Sequence, residues 1–172
     1  MNDQELFELA ERVGLALQAN GLVLTTAESC TGGWIGEAVT MVSGSSAWYD
    51  RGFITYTNKA KQQMLGVKAS TLVRHGAVSE ETVLEMVAGA LAASSAQLAV
   101  AVSGVAGPTG GTPDKPVGTV CIAWALAGGA AGTETRAETR LFAGDRAAVR
   151  RQSVIRALTG VLEMTAANTG YA

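Results

Sequence analysis

The chain has 172 residues, of which 48% are hydrophobic and 16% are charged, and its formal net charge is −2. This composition excludes an intrinsically disordered chain, and the lack of an apolar stretch approaching about 18 residues excludes a membrane-spanning helix. Basic residues are dispersed except on one predicted helix, so we expect no nucleic-acid partner and no membrane partner. The length suits one core, and we expect a single domain over residues 1–172.

The predicted elements alternate between helices and strands. A helix over 4–20, with Asp3 as a possible N-cap, precedes a strand over 23–26, a helix over 33–42 and a strand over 52–56. Asn58 is the predicted N-cap of a short helix that ends near 65, a helical turn covers 70–74, and Ser79 caps a long helix that ends near 95. Strands over 98–102, 119–126 and 134–141, a turn at 128–129 and a helix capped by Asp145 that ends near 164 follow. The strand over 98–102 is apolar throughout, as in a strand buried on both faces, and the alternation of 134–141 is typical of a half-exposed edge strand. This order predicts an α/β fold, a three-layer α/β/α sandwich with a mixed, mostly parallel sheet of about five strands.

Two loops carry most of the small polar residues. The first, 26–33, follows an apolar strand and opens a helix, so its N–H groups and the positive helix end favour an anion or a nucleotide. The second, 103–118, contains all three prolines and is typical of a functional loop. We expect residues of the two loops to bind this anion or nucleotide. The predicted binding residues are Glu28, Ser29, Thr31, Gly32, Gly33, Ser103, Gly104 and Gly107.

Cysteine and histidine are too scarce for several kinds of site. Cys30 and Cys121 do not form a CxxC pair, and the N-terminus has no basic segment before an apolar one, so we expect a cytoplasmic protein without a disulfide. His75 is the only histidine and lies in a predicted turn. A Ser-His-Asp triad and a zinc site are therefore unsupported, and we expect no metal and no cofactor.

Lysine and tyrosine are the remaining bases that could activate a nucleophile. Tyr56 ends a predicted strand, and Lys61 lies five residues later in the first turn of a helix. The helix dipole at that position would disfavour the charged ammonium and lower the pKa of Lys61. The alternative is structural, with Lys61 exposed to solvent and Tyr56 covering the core.

Seven motifs together resemble one family. They are TAESCTGG at 26–33, GSSAW at 44–48, ITYTNKAK at 54–61, HGAVS at 75–79, SGVAGPTGG at 103–111, KPVGTV at 115–120 and GDRAAVRRQ at 144–152. Their order over nearly the whole chain is similar to that of the CinA C-terminal domain family, the nicotinamide-nucleotide amidohydrolases. The resemblance implies a stand-alone enzyme of pyridine nucleotide recycling. Its reaction would convert nicotinamide mononucleotide to nicotinic acid mononucleotide and ammonia without a metal.

The resemblance also implies particular site residues. It places a catalytic serine, tyrosine and lysine on Ser46, Tyr56 and Lys61, and it places substrate contacts on Ser103 and Arg146. Either Lys61 or Tyr56 would be the general base. Ten residues of extended chain would separate Ser46 from Tyr56 by roughly 33 Å. We therefore expect a chain reversal near 45–49, the other possibility being a contribution from a second subunit.

Alternatives remain open at the level of the sequence. Ser29 and Cys30 are rival nucleophiles, because a strand, a turn and a helix surround them as in a nucleophile elbow. A nucleotide-binding module without catalysis would explain the glycine-rich loops equally well, and a partner-binding protein of DNA uptake would need a basic patch that is missing here. Small α/β enzymes are often symmetric oligomers, and we expect a homo-oligomer, with a dimer favoured.

Overall fold

The computed structural model describes residues 2–129 and 132–168. The first half contains α1 (Asp3–Ala19), β1 (Leu24–Glu28), α2 (Trp34–Thr40), a 3-10 turn (Ser45–Ala47), β2 (Tyr49–Ile54) and α3 (Asn58–Leu65). The second half contains α4 (Ala69–His75), α5 (Glu80–Ala92), β3 (Leu98–Gly104), β4 (Thr119–Gly129), β5 (Gly132–Leu141) and α6 (Arg146–Asn168). Within the described residues no helix combines the length and the apolar character that crossing a bilayer requires.

The five strands form one mixed sheet in the order β2-β1-β3-β4-β5. The strands β2, β1 and β3 run parallel, whereas β4 lies antiparallel to both β3 and β5. Helices α1, α2 and α6 cover one face of the sheet, and α3, α4 and α5 cover the other. The predicted three-layer α/β/α sandwich is confirmed. The predicted edge position of the last strand is also confirmed.

The two faces of the sheet bury residues of different size. In β3, Leu98, Val100 and Val102 point towards the larger core, while Ala99 and Ala101 point towards α5. Successive residues of a strand face opposite sides, so this alternation brings α5 close to the sheet and leaves the larger space under α1 and α6. Trp48 and Trp124 fill that larger core.

A close contact between two helices positions α3. A Cβ atom on Gly89 of α5 would overlap the carbonyl oxygen of Leu65, the last residue of α3. The absence of a side chain at Gly89 therefore lets α5 support the C-terminal end of α3 directly. At the other end, the Thr57 hydroxyl accepts a hydrogen bond from the Ala60 N–H at 3.1 Å. Thr57 is the N-cap, where the sequence predicted Asn58.

Several predicted boundaries are corrected by one to three residues. The N-cap of α1 is Asn2 rather than Asp3, and β1 continues to Glu28. The strand β2 begins at Tyr49, three residues earlier than predicted, and ends at Ile54. The predicted caps Ser79 and Asp145 are confirmed by side-chain hydrogen bonds to Thr82 N–H and Ala148 N–H. The turn predicted at 128–129 adjoins residues 130 and 131, which lie outside the described part of the chain.

Candidate active site

Three parallel strands end at one edge of the sheet, and the segments that follow them stay together. The Thr55 N–H, after β2, donates to the Glu28 carbonyl at 2.8 Å, and the Ser29 N–H, after β1, donates to the Val102 carbonyl of β3 at 3.0 Å. The carboxyl ends of parallel strands are where open α/β sheets bind ligands. This edge is the candidate active site.

Ser29 and Lys61 form a buried pair at this edge. The side chain of Lys61 reaches back from the first turn of α3, and its Nζ lies 2.9 Å from Ser29 Oγ and 2.8 Å from the Thr55 carbonyl oxygen. Lys61 is 1% exposed and Ser29 is 7% exposed. A serine hydroxyl within hydrogen-bond distance of a fixed amine is the geometry of a nucleophile and its general base.

The environment of Lys61 favours its neutral amine. Burial removes water from the ammonium and is the larger effect, lowering the pKa of Lys61 from 10.5 to about 8, while the nearby Cys30 acts in the opposite direction. A depressed pKa was predicted from the helix dipole, but burial is its main cause. A lysine with this pKa accepts a proton near neutral pH far more readily than an exposed lysine does.

The anion-binding site predicted at the start of α2 is occupied by a carboxylate of the protein itself. The Glu28 carboxylate, 1% exposed, accepts hydrogen bonds from the N–H groups of Gly33, Ile35 and Gly36 at 2.9 to 3.1 Å and from the Thr31 hydroxyl at 2.6 Å. A carboxylate in this position satisfies N–H groups that the first turn of a helix leaves unpaired. Glu28, Thr31 and Gly33, which the sequence assigned to substrate binding, instead hold the turn in place.

Arg146 links three segments: α6, the loop at Gly107, and Tyr56 after the end of β2. Its Nη1 donates to the Gly107 carbonyl at 2.8 Å, and its Nη2 donates to the Tyr56 hydroxyl at 3.0 Å. Tyr56 is 60% exposed, and its hydroxyl forms no hydrogen bond with Ser29 or Lys61. A cavity of about 660 Å³ adjoins this contact; its lining residues are Ala106, Pro108, Val117, Gly144, Asp145, Arg146, Ala147 and Arg150.

Arg150 is a residue of this site that the sequence analysis did not select. Its Nε donates to the Cys30 carbonyl at 3.0 Å, and its Nη2 donates to the Thr31 carbonyl at 2.9 Å. The guanidinium also lies 5.3 Å from the centre of the Trp34 ring. The sequence could have indicated Arg150, because it follows Arg146 by four residues and residues at this spacing share one face of a helix, here α6.

Ser46 lies away from this group, and the predicted cluster of Ser46, Tyr56 and Lys61 is corrected. Ser46 is an exposed residue of the 3-10 turn that precedes β2, whereas Tyr56 and Lys61 follow the end of β2. The chain forms a 3-10 turn over Ser45–Ala47, but the reversal expected near 45–49 does not bring Ser46 to Tyr56, because β2 then runs parallel to β1 from Tyr49 to Ile54. Six strand residues separate the two ends by about 20 Å. Ser46 therefore lies at the amino ends of the parallel strands, opposite to the carboxyl ends that carry Ser29 and Lys61.

The remaining predicted residues have varied surroundings. Ser103 is 2% exposed and is the penultimate residue of β3, at the same carboxyl end of the parallel strands as Ser29. Gly104 packs against Val120, where a Cβ atom would lie 2.6 Å from Val120 Cγ2. Gly32 has a φ of +63° and Gly107 a φ of +80°, so both adopt a left-handed conformation that favours glycine.

Cys30, the other rival nucleophile, is a poor candidate. It is 5% exposed, and burial raises the pKa of its thiol from 9.0 to about 11. The thiolate is the reactive form of cysteine, and it is nearly absent at neutral pH with such a pKa.

The fold and the site together define an α/β protein with a buried serine and lysine pair at the carboxyl edge of its sheet. The sequence profile described as the CinA C-terminal domain matches residues 6–165. The chain belongs to the CinA C-terminal domain family, and the resemblance noted from its motifs is confirmed.

Named relatives cover nearly the whole chain. This chain is 53% identical over 169 residues to the nicotinamide-nucleotide amidohydrolase PncC of Escherichia coli strain K12. The matched region covers 98% of this chain and 100% of that protein. The chain is 54% identical over 156 residues to the protein of the same name from Pseudomonas putida, with coverage of 91% and 94%. The crystal structure of a CinA superfamily protein from Klebsiella pneumoniae 700603 matches with a TM-score of 0.88 at 42% identity, over 94% of this chain and 98% of that chain.

Proposed function

We propose that the protein hydrolyses the carboxamide of nicotinamide mononucleotide, giving nicotinic acid mononucleotide and ammonia, with Ser29 as the nucleophile and Lys61 as the general base. The observation that carries this proposal is the 2.9 Å contact between Lys61 Nζ and Ser29 Oγ in a buried setting. The protein is then an amidohydrolase acting on a linear amide, the activity that the names of its relatives state for those proteins. Ser29 takes the role that the sequence analysis gave to Ser46.

The first half of the reaction forms an acyl-enzyme. Ser29 Oγ attacks the carboxamide carbon while its proton passes to the neutral Nζ of Lys61, and the carbonyl oxygen becomes an oxyanion. The Thr55 carbonyl holds Nζ at 2.8 Å, so the amine is oriented before the substrate arrives. Lys61 then returns the proton to the amide nitrogen, and the carbon–nitrogen bond breaks to release ammonia.

The second half repeats these steps with water. Lys61 accepts a proton from a water molecule that attacks the ester, and it then protonates Ser29 Oγ as nicotinic acid mononucleotide leaves. One lysine thus serves as base and acid in turn, which the pKa of about 8 supports because neither form is strongly disfavoured near neutral pH.

The substrate phosphate is assigned to Arg146. Arg146 lines the 660 Å³ cavity together with Arg150, and its guanidinium lies at the exposed Tyr56. An arginine is suited to a phosphate because its planar donors fit two phosphate oxygens at once. Ser103, at the same sheet edge, is the proposed contact to the nicotinamide portion. A cytoplasmic location and a homodimer complete the proposal.

Lys61 is favoured over Tyr56 as the base. Lys61 contacts Ser29 directly, whereas the Tyr56 hydroxyl is bonded to Arg146 and is largely exposed. The same contact favours an enzyme over a binding module. Burying an amine costs solvation free energy, and a module that only binds a nucleotide has no use for an amine beside a serine.

Incubation of the purified protein with nicotinamide mononucleotide and a metal chelator tests the proposal. We expect nicotinic acid mononucleotide and ammonia in equal amounts, measured by chromatography and by an enzymatic ammonia assay. Calorimetry on the same preparation distinguishes the alternative, because binding of the nucleotide without any product would identify a binding module and contradict the amidohydrolase.

A further inference from the structure

The turn that carries Ser29 is held from two sides. Glu28 binds the N–H groups at the start of α2, and Arg150 binds the carbonyl oxygens of Cys30 and Thr31. The Gly32 N–H closes the turn by donating to the Ser29 carbonyl at 3.1 Å. These contacts leave the peptide group between Cys30 and Thr31 with its carbonyl fixed and its N–H free of an internal acceptor.

The orientation of that N–H follows from peptide geometry. In a planar trans peptide the carbonyl oxygen and the N–H point in opposite directions. Because Arg150 Nε holds the Cys30 carbonyl at 3.0 Å, the Thr31 N–H points away from Arg150. No oxygen within residues 2–129 and 132–168 accepts a hydrogen bond from this N–H, although Thr31 is 0% exposed.

An unpaired buried N–H two residues after a nucleophile points to a ligand. Almost all buried backbone N–H groups are paired, because an unpaired one costs free energy. In acyl transfer the oxyanion needs donors that are already oriented, and backbone N–H groups beside the nucleophile commonly supply them.

We propose that Arg150 is a positioning residue of the hydrolytic reaction, which directs the Thr31 N–H towards the oxyanion that forms when Ser29 attacks the carboxamide. This inference rests on the proposed function and adds a residue to it. Arg150 acts through the backbone and does not touch the reacting atoms. Its guanidinium is suited to the task because one planar group holds two neighbouring carbonyls while it packs on the Trp34 ring.

The variants Arg150→Lys and Arg150→Gln test the inference, with Arg151→Gln as the matched control. Arg151 is the next residue of α6 and also packs on Trp34, but its guanidinium donates to the carboxylate of the exposed Asp3 at 2.7 Å rather than to a backbone carbonyl of the turn. We expect both Arg150 variants to lower kcat by about 10- to 100-fold with little change in KM, since a small displacement of a catalytic donor has effects of this size. Arg151→Gln keeps the wild-type kcat.

A thioamide substrate separates a lost oxyanion donor from general damage. Sulfur accepts hydrogen bonds less well than oxygen, so the wild type should discriminate between nicotinamide mononucleotide and its thioamide analogue through the oxyanion donors. In Arg150→Lys we expect the ratio of kcat/KM for amide over thioamide to fall at least about fivefold. Thermal unfolding monitors whether each variant is folded.

The outcomes are distinguishable. Wild-type kcat in Arg150→Lys, or equal losses on the amide and the thioamide, would overturn the positioning role and leave the proposed function intact. A wild type that forms no product from the amide would contradict the proposed function and this inference with it.

Discussion

The pH dependence of the reaction follows from the buried position of Lys61. The base must be neutral to accept the proton of Ser29, and the pKa of Lys61 is lowered from 10.5 to about 8 by burial. With a pKa of about 8 the neutral fraction is about 9% at pH 7 and about 90% at pH 9, whereas an ordinary lysine would be about 0.03% neutral at pH 7. The rate should therefore rise about tenfold between pH 7 and pH 9, with an inflection near 8.

Initial rates measured from pH 6 to pH 10 test this expectation. Nicotinic acid mononucleotide is quantified by chromatography, so that no coupling enzyme adds its own pH dependence. Arg151→Gln serves as a control and should keep the inflection. A rate that is constant from pH 6 to pH 9, or that falls through pH 8, would refute the assignment of Lys61 as the base.

Four further variants probe the surrounding contacts. Lys61→Met abolishes turnover but unfolds at a higher Tm at pH 7, because the wild type carries a buried charge there that costs up to about 3 kcal/mol. Glu28→Gln lowers the free energy of unfolding by about 3 kcal/mol, since an amide cannot accept all four of the hydrogen bonds at α2. Arg146→Ala raises KM for the mononucleotide at least about tenfold and leaves the riboside unaffected, because only the mononucleotide carries the phosphate. Tyr56→Phe keeps kcat within a few fold of the wild type.

Each of these variants has a contradicting result. Between about pH 8 and 10.5 the folded wild type binds fewer protons than its unfolded chain, so its stability rises with pH. The difference in unfolding free energy between Lys61→Met and the wild type should therefore shrink over this range. A difference that stays constant in urea denaturation would contradict the buried charge. An unchanged unfolding free energy in Glu28→Gln would contradict its role as a cap. If Arg146→Ala raised KM equally for the mononucleotide and the riboside, that result would contradict the assignment of the phosphate to Arg146. Loss of kcat in Tyr56→Phe as large as in Lys61→Met would make tyrosine the base.

Much of the fold could be predicted because it depends on local patterns. The apolar run 98–102 and the alternating residues of 134–141 specified a buried strand and an edge strand, and Ser79 and Asp145 marked the helix starts. Boundaries at polar residues differ from the prediction by up to three residues, as at the end of β1 and the start of β2. Glu28 was assigned to substrate binding because it lies in the polar, glycine-rich segment 26–33, and only the tertiary structure pairs its carboxylate with the start of α2.

The nucleophile required long-range information. Ser29 and Lys61 are 32 residues apart, and their contact arises because β1 and β2 are parallel neighbours whose carboxyl ends meet at one edge. A pattern in the sequence gives the strands but not their order. Ser46 is nearer to Lys61 along the chain and yet lies at the opposite edge, because β2 lies between them.

The most direct measurement of the central claim compares two serine variants side by side. Ser29→Ala and Ser46→Ala both remove one hydroxyl, and only Ser29 lies 2.9 Å from Lys61 Nζ. Release of ammonia from nicotinamide mononucleotide should fall at least about a thousandfold in Ser29→Ala, as for the loss of a nucleophile in other hydrolases, and should be unchanged in Ser46→Ala. Full activity in Ser29→Ala, with the loss in Ser46→Ala instead, would contradict the account.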